Sequence, residues 1–340
     1  MKERALVVER RLGEATRQKL VAAGAIREDL AIQHEGSRLA FPLRPEAVVP
    51  PDWGETTVRE FEPRASEPTA EYRDLLGWPA AERQRLPRSF DVVGDVVLIR
   101  LPDELEPRAA EVGEALLKFV PGARLVGLDR GVHGPDRRRA VQRIAGSGAW
   151  RTRHRENGLE FDVDLEKAYF SPRLAREHAR IAEEVRTGDR VLDLCCGVGP
   201  FAVTIARDGR ARSIRAVDAN PEAVALLRQT LSRYPFGGRV SAIEALLEEF
   251  VPSATEAERV LLNLPREGTK YAALVAPLVA PGGSLYYYEI VARDETLHRG
   301  AAVERTLGPP GAWRAREVRV VHPYSPSSDL VALTLDRGGV

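Results

Sequence analysis

Cysteine is almost missing from this chain of 340 residues: Cys195 and Cys196 are the whole supply. Adjacent in sequence, they are poor partners for a structural disulfide, and without a CxxC pair or a Cys/His cluster no metal site is expected. No apolar run approaches the roughly 18–20 residues that cross a bilayer, because Arg, Asp or Glu interrupts every hydrophobic stretch. The opening MKERALVVERRLGEATRQ is too charged for a secretory signal. Repeats and low-complexity tracts are also lacking. These absences exclude membrane-spanning, disulfide-stapled, collagenous and largely disordered classes. They leave a soluble cytoplasmic protein, expected to be a monomer, with length for two or three domains.

Lysine is the other scarce residue. Only five of the 50 basic residues are Lys, and 50 acidic residues balance the set to a net charge of zero. A GC-rich genome would produce this bias without any function. Arg nevertheless makes bidentate phosphate contacts and stacks on bases better than Lys, so the distribution of arginines matters more than the total. Between Pro121 and Asn157 nine Arg stand against three acidic residues, an excess of six positive charges in 37 residues, with His133, Trp150 and His154 interleaved. A solvated face is the plain reading of such a run. Basic residues mixed with aromatics, in a segment that reads as loop-rich, are also the footprint of an RNA site. On that reading Arg138, Arg139, Arg143, Arg151, Arg153 and Arg155 are the expected RNA contacts.

By pattern the chain divides into residues 1–65, 66–165 and 166–340. The first part holds two short apolar strands around a helix ending at Gly24, and the proline-rich stretch from Pro45 to Pro68 reads as a linker. The second mixes strands and helices in a small α/β unit. In the third, strands and helices alternate from RVLDLCC to GSLYYYEI, and the tail reads as two strands joined by a Pro/Ser loop. That order predicts an α/β architecture: a doubly wound, mostly parallel sheet with an antiparallel edge.

One strand of this sheet runs into a glycine turn, VLDLCCGVGPFA (191–202). Gly197, Gly199 and Ala202 satisfy G-x-G-x-x-G/A, and Asp218 follows at the end of the next strand, which fits a dinucleotide fingerprint. Asp193, however, lies four residues before the first glycine. A carboxylate there opposes a diphosphate and suits a cofactor carrying an ammonium group, as S-adenosylmethionine (SAM) does. Asp218 takes the ribose hydroxyls on either reading. Cys195 and Cys196 read as small packed residues, since nothing adjacent would generate a thiolate.

A second segment, LLNLPREG, ends the fourth strand with Asn263, Leu264 and Pro265. Ligands of open α/β sheets bind outside the carboxyl ends of strands, which puts Asn263 beside a cofactor's reactive group. Its amide offers both a donor and an acceptor to the edge of a planar base. A plain turn before proline is the competing account.

Together AYFSPRLAREHARI (168–181), DLCCGVGPFA, LLNLP and the upstream SFDVVGDVVLIRLP (89–102) closely resemble the archaeal and eukaryotic type of tRNA (guanine(37)-N1)-methyltransferase. The resemblance covers nearly the whole chain. It implies a seven-stranded, Rossmann-like class I methyltransferase with an α/β RNA-binding domain and a small N-terminal tRNA-recognition module. SAM would be the cofactor and tRNA the partner. Carried over by position, it implies Glu177 as general base, Arg137 as the arginine serving guanine O6, and Asn263 as the residue orienting the base. It also implies cofactor contacts at Arg173, His178, Asp193, Cys195, Gly197, Val198, Gly199, Phe201, Asp218, Ala219, Asn220, Glu244, Ala245, Asn263 and Pro265. The sequence departs from the family where Cys195-Cys196 replaces Phe-Ala, where Glu244-Ala245-Leu246 replaces Asp-Ala-Arg, and where LSRYPFGG ends the second helix.

Five alternatives stay open. An ion pair along its helix with Arg173 or Arg180 is the competing role for Glu177, and Arg138 or Arg139 competes with Arg137. A wyosine-pathway relative would transfer an aminocarboxypropyl group or methylate a tricyclic guanosine derivative. From other classes, an NAD-dependent oxidoreductase shares the glycine turn, and an RNA-binding protein with a vestigial cofactor site would bind tRNA without turnover.

Overall fold

The computed structural model describes residues 2–62, 71–133, 138–236, 238–266, 268–325 and 327–339. They fall into two compact units, Met1–Ala70 and Glu71–Val340.

In the first unit the strand Lys2–Glu9 is central. It pairs antiparallel with Arg38–Pro42 on one side and Glu55–Glu60 on the other. The helix Gly13–Ala22 buries Leu20 beside Leu6, Val8 and Phe41, and Gly24 leaves it with φ of 59°, a left-handed conformation that suits glycine. The strand Glu55–Glu60 lies inside the stretch expected to be a linker. Its sequence, ETTVRE, has no buried position and Val58 is exposed, so an edge strand here carries almost no apolar signal.

The second unit begins at Glu71 with a sheet in the order Asp91–Val93, Val96–Ile99, Leu125–His133, Arg138–Gly146. The amphipathic helix Ala109–Phe119 covers one face, with Val112 and Leu116 buried. A hairpin, Arg151–Glu156 with Leu159–Asp164, follows. The segment read as loop-rich is therefore mostly strand. Asn157 and Gly158, at φ of 50° and 76°, form the two-residue Asn-Gly turn that hairpins favour. Arg151, Arg153 and Arg155 project from the exposed side, while Thr152 and Glu156 are buried.

The large sheet has seven strands, in the order Val240–Glu244, Ser213–Asp218, Arg190–Leu194, Ala257–Leu262, Val279–Ala292, Ser328–Arg337, Trp313–Pro323. The pairs among the first five are parallel, and Ser328–Arg337 runs antiparallel to both its neighbours. The central strands are buried on both faces, as the near-continuous apolar runs VLDL and RVLL require. Pro200 and Pro221 each occupy the first helical turn, where a missing N–H costs nothing. The Asn220 side chain accepts from the Glu222 N–H at 3.0 Å and caps its helix. One apolar cluster joins Val93, Val96 and Leu125 of the smaller sheet to Phe161, Ile181, Phe201 and Tyr288. The expected boundary near residue 165 is thus crossed by a shared core. No helix among the described residues is long and apolar enough to span a membrane, and no metal-binding cluster occurs among them.

Candidate active site

Two cavities adjoin at the carboxyl ends of the large sheet's strands. The first, about 220 Å³, is lined by the glycine turn, by Asp218, Ala219 and Asn220, and by Ala245 to Glu248. The second, about 260 Å³, is lined by Asp91, Arg100, Asp129, Arg139, Arg173, Arg266 and Tyr324 among others. Tyr169, Ser171, Leu174 and Asn263 line both.

The first cavity follows from local sequence. Cys195 at φ of 61°, Gly197 at 56° and Gly199 at 76° bend the chain from strand to helix. A Cβ on Gly199 would come within 2.4 Å of Leu227 Cδ1, so glycine there lets two helices approach. Asp218 braces the turn, accepting from the Gly197 N–H at 2.7 Å and the Asn220 N–H at 2.9 Å. Asp193 is fully buried beneath the turn and outside the cavity lining. Its Oδ2 accepts from the Ala202 N–H at 3.1 Å, and its Oδ1 has no partner. Burial pushes this carboxyl up to about 7, with the Asp218 charge adding to the effect and the Ala202 N–H opposing it. Burial likewise pushes the Cys196 thiol up, so it does not become a reactive thiolate.

Of the other expected cofactor contacts, Cys195, Gly197, Asp218, Ala219, Asn220, Ala245, Asn263 and His178 line this first cavity. Val198 and Phe201 are buried behind it, and Phe201 packs edge-on to His178 at 4.5 Å. Glu244 is exposed at its strand end and outside the lining. Pro265 and Arg173 line the second cavity instead.

The second cavity is a wall of ion pairs. Arg173 Nε donates to Asp91 Oδ1 at 2.7 Å. Arg139, 6% exposed, donates to Asp129 Oδ2 at 3.0 Å and to the Phe170 carbonyl at 2.9 Å. Its guanidinium sits 5.4 Å from the Tyr169 ring and 3.8 Å from Asp91 Oδ2. Arg139 is therefore the member of the arginine triplet that reaches this cavity among the described residues. Arg137 lies outside them, and Arg138 pairs with His133 in the strand ladder. Arg143 donates to the Gly148 carbonyl at 2.9 Å, away from both cavities.

Glu177 lies on the helix Ala175–Glu184, 3% exposed and in neither lining. Its carboxylate accepts from Tyr288 Oη at 2.8 Å, Arg180 Nη2 at 2.9 Å and Arg319. Burial alone would raise its pKa, but the hydrogen bonds and charges of these partners outweigh it and hold the carboxyl below the usual range.

Sequence reasoning missed Asp91, Arg100, Asp129 and Tyr324. Asp91 and Arg100 lie within SFDVVGDVVLIRLP, which carries the resemblance without marking either as a site residue, and the four meet where the smaller sheet packs against the larger one.

A seven-stranded sheet with one reversed strand, a glycine turn after the first strand and an acidic residue ending the second defines a class I SAM-dependent methyltransferase. The residues fit that cofactor: Asp218 and the glycine turn line the first cavity, and His178 on its wall has a buried Nε2 with no hydrogen-bond partner. Residues 152–306 match the TRM5/TYW2 methyltransferase domain and residues 72–149 the TYW2 N-terminal domain. The chain is 31% identical to the tRNA (guanine(37)-N(1))-methyltransferase Trm5b of Pyrococcus abyssi, over 81% of each protein. The crystal structure of that Trm5b superposes with a TM-score of 0.71 at 28% identity, covering 99% of both chains. A solved complex of aTrm5 with tRNALeu superposes at 0.69 with 28% identity, over 98% of this chain and 99% of that one. A tRNA(Phe) (4-demethylwyosine(37)-C(7)) aminocarboxypropyltransferase of Pyrococcus horikoshii is 27% identical over 61% of this chain and 73% of its own. The chain belongs to the Trm5 family of tRNA (guanine(37)-N1)-methyltransferases.

Proposed function

We propose that this protein methylates N1 of guanosine 37 in tRNA, with SAM in the first cavity and the target base in the second. Asn263 carries the reading, because it lines both cavities and so stands where a methyl group would pass between them.

Bound SAM supplies an electrophilic methyl on a sulfonium. The rest falls to the chain. Guanine N1 carries a proton at neutral pH, so a base must remove it as the methyl arrives, and negative charge grows toward O6. Glu177 is the proposed proton acceptor. The donors from Tyr288, Arg180 and Arg319 keep it ionised, and a catalytic hydrogen bond absent from the free enzyme can form in the substrate complex. A guanidinium stabilises O6 as an oxyanion donor would. Of the arginine triplet's described members Arg139 lines the second cavity, and it is proposed for this role together with the family-implied Arg137. Asn263 orients the base edge through its amide. The target base must first leave its stack, at a cost of a few kcal/mol, which contacts to the exposed Arg151, Arg153 and Arg155 offset. A monomer acting in the cytoplasm completes the proposal.

The test is mass analysis of unmodified tRNA after incubation with labelled SAM. A single added methyl on tRNA with guanosine at position 37, and none when another base stands there, is the expected result. An added aminocarboxypropyl group would assign the chain to the wyosine branch.

A further inference from the structure

The second cavity carries more positive charge than it pairs. Four arginines line it, Arg100, Arg139, Arg173 and Arg266, against two aspartates, Asp91 and Asp129. Three of the four are held by those carboxylates. Arg139 and Arg100 donate to Asp129 at 3.0 and 3.2 Å, and Arg173 donates to Asp91 at 2.7 Å. Arg266 differs. It is exposed, and its partner is neutral: Nη2 donates to Tyr324 Oη at 2.6 Å, with the guanidinium 5.9 Å from the tyrosine ring centre. No ion pair joins it to a carboxylate among the described residues. Both segments that carry the pair are themselves fixed. The Pro265 carbonyl accepts from the Ile290 N–H at 3.1 Å, and the Tyr324 N–H donates to the Ser328 carbonyl at 2.9 Å. The guanidinium is thus held at the cavity's open side, where Tyr324 is 40% exposed.

We propose that Arg266, oriented by Tyr324, grips a backbone phosphate of the target nucleotide while its base lies in the second cavity. A base swung out of its stack enters a pocket with its sugar and leaves its phosphates at the entrance. Asp91 and Asp129 inside the cavity repel a phosphate, so it stays at the rim. The rim charge not spent on a carboxylate is that of Arg266. A planar guanidinium matches two phosphate oxygens at once, and the bond to Tyr324 limits its rotation without neutralising it. Sequence shows nothing of this, because Arg266 follows Asn263-Leu264-Pro265 as one arginine among many, and Tyr324 meets it across 58 residues of chain. The inference rests on the target base occupying the second cavity.

Binding of tRNA measured across a salt series tests it, with natural RNA and with RNA carrying one uncharged methylphosphonate linkage on either side of nucleotide 37. Arg266→Ala should lower the salt slope by about 0.7–0.9, the value of one phosphate, and weaken binding at moderate salt about tenfold. The loss should be equal for tRNA with guanosine or adenosine at position 37, since a phosphate contact carries no base information. One of the two methylphosphonate linkages should reproduce the loss in the parent, and Arg266→Ala should add nothing further on that RNA. Tyr324→Phe, which keeps the ring and removes the hydroxyl, should show the same pattern at smaller size. SAM affinity should hold in both variants, as a check on the fold. An unchanged slope in Arg266→Ala would overturn the inference, as would losses that add in full at both linkages. A parent protein that methylates guanosine 37 while Arg266→Ala binds normally strikes this anchor alone. A parent that leaves guanosine 37 unmethylated removes the reading of the second cavity, and the anchor with it.

Discussion

The two cavities differ in how they are made. The first is built mainly from strand ends of one sheet and the turns that follow them, in short contiguous stretches at 195–197, 217–220, 245–248 and 263–264, and is closed by Tyr169, Phe170, Ser171, Leu174 and His178. Backbone geometry and small residues shape it. The second gathers side chains from the smaller sheet, from the segment 169–174, from the Asn263 turn and from the loop between the last two strands. Asp91, Asp129, Arg139 and Arg173 bind one another there, so its shape is held by long-range ion pairs. A cofactor of fixed structure needs only the first kind of site. A base swung out of a folded RNA needs the second, where a charged wall can both select the base and answer the charge that develops on it.

The proposed proton acceptor gives the largest expected effect, with the carboxylate Asp91 of the second cavity as its control. Glu177→Gln should lower the single-turnover methylation rate by about 10²–10⁴-fold while SAM affinity holds. Asp91→Asn should cost less, since Asp91 is occupied with Arg173. Because the Glu177 pKa is lowered below 4.5, the parent rate should stay flat down to that pH and fall beneath it. A larger loss in Asp91→Asn than in Glu177→Gln would move the proton acceptor into the cavity lining and exclude Glu177.

The same contrast explains what can be read from sequence. The places of the glycine turn, Asp218 to Asn220 and Asn263 in the lining are legible because they follow from position at strand ends. Arg139 is visible only as one of three neighbours, and burial against Asp129 and Phe170 separates it from them. Asp91 sits in a segment that carries the resemblance but nothing there marks its carboxylate as a site residue, and Asp129 has no local signature at all. Two local signals are present and outweighed: the Asn157-Gly158 turn and the alternation in RTRHRE both announce a hairpin, yet the charge of the segment favours a loop-rich reading. The strand Glu55–Glu60 is illegible for the opposite reason, having no buried face to print a pattern.

Asp193 sharpens the first cavity's side of the comparison. Its folded pKa, about 7, lies above the ordinary value of 3.8. The folded state thus binds the extra proton between those values. Stability from this group is full below pH 3.8, declines as pH rises and is lost above about 7. Asp193→Asn should therefore melt above the parent at pH 8, by the equivalent of about 2–4 kcal/mol, with the gap closing toward pH 4. It should also weaken SAM, because the ionised carboxylate is what a cation stabilises. A gap independent of pH would show that Asp193 does not carry the shift.

The smallest expected effect lies outside both cavities. Arg151, Arg153 and Arg155 share the exposed face of one strand, so changing all three to Ala removes positive charge without entering either lining. Thr152 and Glu156 keep their inward contacts, including Thr152 Oγ1 to Asp95 Oδ1 at 2.6 Å, and the hairpin should persist. For every phosphate that one of these arginines neutralises, the salt slope of tRNA binding should drop by about 0.7–0.9, and affinity at moderate salt should fall about tenfold. Part of that charge is already engaged, since Arg151 donates to Gln229 and Arg153 lies 3.6 Å from Glu160; a slope change nearer one than three would identify Arg155 as the main phosphate partner. SAM affinity should not move. An unchanged slope would mean that the excess charge of this segment is a solvated face, and that the ion-paired cavity holds the RNA through the flipped base and its neighbours alone.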